Sequence, residues 1–153
     1  MALKQPLSVR LEFTSAFEML DVTQVVSDHV CKEVGLDEDA VHWVSVAVRE
    51  SVANAIKHGN QNDQSKHVFV EFTGTFETVP ELSIRVRDQG AGFDPEEVAD
   101  PLAPENLLKG SGRGIFLIRS FMDEVVLQRA PEGGMEMRMV KRAQPAGAPD
   151  VTA

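Results

Sequence analysis

Among the 153 residues there is a single cysteine, Cys31, so an internal disulfide is excluded and a reducing compartment is expected. No apolar run approaches the ~20 residues that a membrane-spanning helix needs. The first residues also lack the basic, apolar and small-residue succession of a secretory signal, so a cytoplasmic protein with no membrane partner is expected. Basic side chains are in the minority: 15 Lys and Arg face 24 Asp and Glu, a formal net charge of −9. That sign disfavours direct nucleic-acid binding and suits a basic protein partner. His29, His42 and His67 show no metal-binding spacing and read as structural or surface residues. There is no internal repeat.

What is present is ordinary for a folded domain, with 42% hydrophobic and 25% charged residues. One domain is expected over residues 1–142. The closing "AQPAGAPDVTA", residues 143–153, is rich in Ala, Pro and Gly and reads as a frayed tail.

Periodicity places the elements. "LSVRLEF" alternates Leu7, Val9, Leu11 and Phe13 with polar residues, the period of a half-buried strand. Ser15 and Glu18 form a capping box for a helix with Phe17, Leu20, Val25, Val26 and Val30 on its apolar face, ended by Gly35. A second helix starts at Asp37 as N-cap and runs to about His58, with Gly59 and Asn60 as its stop. "HVFVEF" and "LSIRVRD" read as strands, and "VVLQ" and "MEMRMV" as a hairpin turning at residues 131–134. The expected fold class is α+β. It is a two-layer α/β sandwich in which a mixed, mostly antiparallel sheet of about five strands is covered on one face by about three helices. The segment "FDPEEVADPLAPENLLKGSGRG" is long, proline-bearing and weakly periodic, the profile of a functional loop such as a lid.

Three stretches carry chemistry. On the second helix, a turn of about 100° per residue gathers Val41, Val44, Val48, Val52 and Ile56 on one side and Glu50, Asn54, Lys57 and His58 on the other. Such a stripe is most often solvated surface. Small neighbours at Ala47, Ser51 and Ala55 instead leave room for a ligand, and mid-helix Asn54 is a poor helix former. Its amide oxygen suits Mg²⁺ held together with phosphates and water, beside which Glu50 can orient or deprotonate a nucleophile. In "LSIRVRDQGAGF", Asp88 shares parity with Leu82, Ile84 and Val86 and therefore points toward the core. It either caps its own turn or accepts from an amino-bearing ring such as adenine, with Gly90 and Gly92 permitting close approach. In "KGSGRGIFLIRSF", glycines feed a helix start that can offer amides to phosphate or act as a hinge. No Walker A sequence and no strand-then-helix dinucleotide context is present.

E-x-x-x-N-A-x-x-H-G at 50–59, D-x-G-x-G-F at 88–93 and G-x-G-R-G-I at 110–115, in this order, resemble the N, G1 and G2 boxes of the GHKL ATPase superfamily. The short length, the strand and helix before the first box and "FMDEV" after the last look most like bacterial anti-sigma-factor serine/threonine kinases, over about residues 7–140. The resemblance implies a Bergerat-type ATP site with Glu50 as catalytic base and Asn54 holding Mg²⁺. Lys57 and His58 would continue the same helical face, Asp88 would meet the adenine amine, and Gly90 and Gly92 would shape the base pocket. Lys109, Gly110, Ser111, Gly112, Arg113 and Gly114 would approach the phosphates. It further implies a homodimer that sequesters a sigma factor and phosphorylates a serine of an anti-anti-sigma (STAS-type) protein. Gly110 stands where some members carry an arginine able to reach the terminal phosphate, and a nearby Lys is not an equivalent fork donor. Two alternatives share the boxes. One is a nucleotide-gated binding module without phosphoryl transfer; the other is a detached ATP-binding domain of a histidine kinase, although no phosphoacceptor hairpin is visible.

Overall fold

The structure, a computed structural model, describes residues 4–92 and 118–144. Its strands are β1 (Leu7–Thr14), β2 (His67–Thr75), β3 (Glu81–Arg87), β4 (Glu124–Arg129) and β5 (Met135–Arg142). They form one sheet in the order β1-β2-β3-β5-β4, and every pair is antiparallel, so the mixed element expected of the sheet is not seen among the described residues. The alternation foreseen in β2 and β3 is strict. Val68, Val70, Phe72, Leu82, Ile84 and Val86 all face inward and are buried. Against them pack Val30 and Val34 of α1 (Met19–Val34) and Val44, Val48 and Val52 of α2 (Glu38–Asn54). Each such side chain, fully buried, contributes about 1.5–3 kcal/mol relative to exposure. Both helices thus cover one face of the sheet.

The start of α1 differs from expectation. Glu18 occupies the N-cap position with no side-chain cap, and Ser15 is buried at the end of β1. The Ser15 hydroxyl donates to Lys66 O at 2.7 Å and accepts from Asn60 Nδ2 at 2.8 Å, so tertiary partners outcompete the local capping box. The expected face of α1 is met in part: Val30 is buried and Leu20 and Val26 pack against the core, but the remaining buried positions are Thr23, Ser27, Cys31 and Val34. Phe17 and Val25 are 49% and 70% exposed, because the small Thr23 and Ser27 take the inner positions against α2 and the sheet. At the other end, Gly35 closes the helix at φ +94°, a left-handed conformation that glycine adopts without steric penalty.

α2 begins as expected, with Asp37 Oδ1 accepting from Ala40 N at 2.8 Å. It does not run to His58 as a regular helix. From Ala55 to Gly59 the backbone widens into a π-turn, closed by Asn60 N donating to Ala55 O at 2.8 Å. Single π-turns frequently mark functional sites, since the extra residue re-aims the side chains that follow. Beyond β3, the β4–β5 hairpin turns through residues 130–134, where Ala130 N donates to Gly134 O at 2.9 Å. Residues 118–121 are helical; Ile118 is buried, and Phe121 stacks on Trp43 of α2 with ring centroids 3.7 Å apart. The proposed tail is described only as far as Gln144. No helix among the described residues is long and apolar enough to cross a membrane.

Candidate functional site

The core-facing parity of β3 carries one residue past the strand. Asp88 is 5% exposed, at the seam where β3 leaves the sheet beside the π-turn. A carboxylate so buried needs donors. Its Oδ1 accepts from Gly90 N at 2.9 Å and Met135 N at 3.1 Å, while Asp88 N donates to Met135 O at 3.0 Å. Oδ2 lies against the Cα of Gly59, where a Cβ would overlap the carboxylate, so the glycine after His58 is demanded by this approach and not only by helix termination. Asp88 therefore caps its own turn through Gly90 and also lines the space beside the π-turn.

That space is a cleft of about 370 Å³. Val86, Leu127, Met135, Met137, Ala55 and Ala91 supply apolar wall, and Ser51, Asn54, His58, Gln61 and Asp88 supply polar groups. Apolar walls with a few convergent polar atoms suit a flat organic ring. The outer face of the sheet holds another cleft of about 410 Å³, of a different kind. There Glu136 is buried beneath Arg85 and accepts from Gln128 Nε2 at 2.7 Å, Arg85 also faces Glu71, and Arg87 lies 3.9 Å over the Phe69 ring. Its charges satisfy one another. The Arg85 guanidinium, bonded to Glu136, is held above its ordinary pKa.

Asn54, His58, Asp88 and Gly92 all line the inner cleft, with Gly59 between the helix end and the carboxylate. Gly90 sits behind Asp88 and binds it through its amide. Glu50 is half-exposed one turn before Asn54 and is not among the lining residues. Lys57 is exposed and also outside the lining, because the π-turn rotates it away from the stripe that a regular helix would have continued. Lys109, Gly110, Ser111, Gly112, Arg113 and Gly114 lie outside the described residues.

Sequence reasoning did not pick out the two methionines. Met135 and Met137 sit in β5 on the face that meets Ser51, whose hydroxyl lies 3.5 Å from Met137 Sδ. Their alternation with polar neighbours in "MEMRMV" was the available signal. Asn60, read only as a helix stop, is wholly buried beside the site.

The donor set fits the groups expected of it. The cleft ends in one carboxylate backed by backbone amides, which suits an amino-bearing ring, and Asn54 offers the cleft a neutral oxygen of the hard type that Mg²⁺ takes alongside phosphates and water. Among the described residues no cluster of three or more His, Cys, Asp or Glu side chains could hold a metal by itself.

An α+β sandwich with a buried aspartate between a glycine-bearing strand exit and a helix end is the setting in which comparison with known proteins places an ATPase domain of the histidine kinase type. Residues 13–141 match the family described as histidine kinase-like ATPase domain, and the chain belongs to it. It is 32% identical over 136 residues to an anti-sigma F factor of Oceanobacillus iheyensis, covering 86% of this chain and 90% of that protein. It is 27% identical over 139 residues to the serine-protein kinase RsbW of Staphylococcus epidermidis, covering 87% of this chain and 85% of that protein. Its fold is similar to that of the RsbU and RsbW domains of Rv1364c from Mycobacterium tuberculosis, with a TM-score of 0.61 at 15% identity over 94% of this chain and 34% of that chain.

Proposed function

We propose that the protein is an ATP-dependent serine/threonine kinase and anti-sigma factor, which binds MgATP in the inner cleft, holds a sigma factor and phosphorylates a serine of an anti-anti-sigma, STAS-type antagonist. The observation that carries this is Asp88, a buried carboxylate at an apolar slot with one oxygen committed to Gly90 and Met135 and the other lying against Gly59. Relatives named as anti-sigma factor and serine-protein kinase, aligned over most of their length, support the choice of partner and reaction.

The position of the described residues supports these roles. Asp88 orients adenine, and the walls at Val86, Leu127, Met135 and Met137 exclude water from its faces. Asn54 holds Mg²⁺, which neutralises charge on the phosphates when bound. Glu50, one helical turn before it, accepts the proton of the attacking serine hydroxyl. Gly90 and Gly92 shape the base pocket, and His58 borders it. The protein acts as a homodimer in the cytoplasm.

One observation favours a second reading, a nucleotide-gated binding module without transfer: Glu50 does not line the cleft. Catalytic carboxylates often close on their substrates only in the ternary complex, so apo geometry does not remove it. The test supplies MgATP and a candidate antagonist and seeks phosphate on the antagonist by mass spectrometry. Glu50→Ala is expected to abolish transfer and spare ATP affinity, whereas Asp88→Ala removes binding. Tight ATP binding by the unmodified protein without transfer would select the second reading.

A further inference from the structure

Asn60 is 0% exposed, and each polar atom of its side chain is engaged. Nδ2 donates to Ser15 Oγ at 2.8 Å and to His67 O at 2.9 Å, and Oδ1 accepts from Gln89 N at 2.8 Å. Gln89 in turn accepts from His67 N through Oε1 at 2.7 Å. Asn60, His67 and Gln89 therefore form a closed ring of hydrogen bonds joining the π-turn, the start of β2 and the exit of β3.

The placement of this ring relates it to the site. Gly59 abuts the carboxylate of Asp88, and the next residue on each side, Asn60 and Gln89, is joined by the Oδ1 bond. Two consecutive residues of the helix end are thus matched to two consecutive residues of the strand exit, 29 positions away in the chain. We propose that Asn60 is a positioning residue for nucleotide recognition: its Oδ1 sets the separation between the π-turn and Asp88, and so the depth at which the carboxylate meets the adenine amine. The proposal rests on the ATP reading above and concerns affinity for the base, not the transfer step.

A residue that only stabilised the fold would lower thermal stability wherever its bonds were cut. A positioning residue separates its bonds. Asn60→Ala removes the acceptor for Gln89 N and is expected to weaken ATP binding about tenfold by calorimetry, with the transfer rate at saturating MgATP within about twofold. Asn60→Asp in its neutral, protonated form keeps an acceptor oxygen for Gln89 N and a hydroxyl that can donate to His67 O, and is expected to restore affinity to within about threefold of the unmodified protein, whatever its melting temperature. Ser15→Ala cuts the distal bond to Asn60 Nδ2 and the bond to Lys66 O but leaves the Oδ1 bond to Gln89, and is expected to lower the melting temperature with ATP affinity unchanged. Wild-type affinity in Asn60→Ala, no rescue by Asn60→Asp, or an equal affinity loss in Ser15→Ala would each overturn the proposal. If Asn60→Ala does not fold, hydrogen exchange on the unmodified protein decides: the Gln89 amide is expected to be protected, and exchange at the rate of an exposed amide overturns it. An unmodified protein that binds no MgATP would instead overturn the nucleotide reading itself.

Discussion

Adding one methyl group at Gly59 should disable the site without removing any of its polar groups. In Gly59→Ala the new Cβ overlaps the Asp88 carboxylate, which is held by Gly90 N at 2.9 Å and Met135 N at 3.1 Å. Either the carboxylate swings away or the π-turn retreats. Loss of one amide bond to a charged group costs about 1.5–3 kcal/mol, and loss of both about twice that, so the folded state should be destabilised within that range. The displaced oxygen no longer meets the ring amine, and MgATP affinity should fall at least about 100-fold, or ~2.7 kcal/mol. Gly35→Ala is the matched control. At Gly35 a Cβ meets nothing within 4 Å, but φ is +94°, so the substitution should cost about 1–2 kcal/mol of backbone strain and leave affinity unchanged. Denaturant unfolding measures the first quantity and calorimetric titration with MgATP the second. A folded Gly59→Ala protein that binds ATP as tightly as the unmodified chain would refute the assignment of Asp88 to the base.

Two further predictions concern the body of the fold. Burial pushes the Cys31 thiol up to about 12 from its ordinary value of 9.0. A thiol raised in the folded state contributes its full stability below the unfolded pKa and loses it as pH rises toward the folded one. Stability should therefore fall by about 1.4 kcal/mol per pH unit between roughly pH 9 and 12 relative to Cys31→Ala, read as the difference between their unfolding curves. The chain has no tyrosine to titrate in that window, and parallel curves for the two proteins would remove the effect. Phe121→Ala deletes the ring stacked 3.7 Å from Trp43, the sole tryptophan. It should cost about 2 kcal/mol, less than for a fully buried ring because both rings are partly exposed, and move tryptophan emission to longer wavelength; unchanged emission would mean that the stack does not form in solution.

The parts legible in the sequence are those decided by local period. Val68, Val70 and Phe72, and Leu82, Ile84 and Val86, faced inward as alternation required, and the same parity carried Asp88 into the interior. Asp37 capped α2 as its side chain permits. Local chemistry misled where a distant partner was better. Ser15 and Glu18 have the spacing of a capping box, yet Ser15 Oγ is spent on Lys66 and Asn60, which no local window contains. Helical periodicity continued smoothly through Lys57 and His58, so nothing in it announced the extra residue of the π-turn. Asn60 was opaque for the same reason: an asparagine after a glycine is a good helix stop, and its burial depends on β1, β2 and the β3 exit arriving together.

The sheet order β1-β2-β3-β5-β4 bears on when the site comes into being during synthesis. β1, β2, β3 and both helices are complete by Arg87, but β3 finds its other neighbour only in β5, which begins at Met135. The amide that secures Asp88 Oδ1 is that of Met135, and Met135, Met137 and Leu127 of the same hairpin supply part of the cleft wall. While β1, β2, β3 and both helices are made, the inner cleft still lacks the part of its wall that the hairpin supplies. On the proposed role of the inner cleft, ATP binding waits for the β4–β5 hairpin, the last of the described strands to be synthesised.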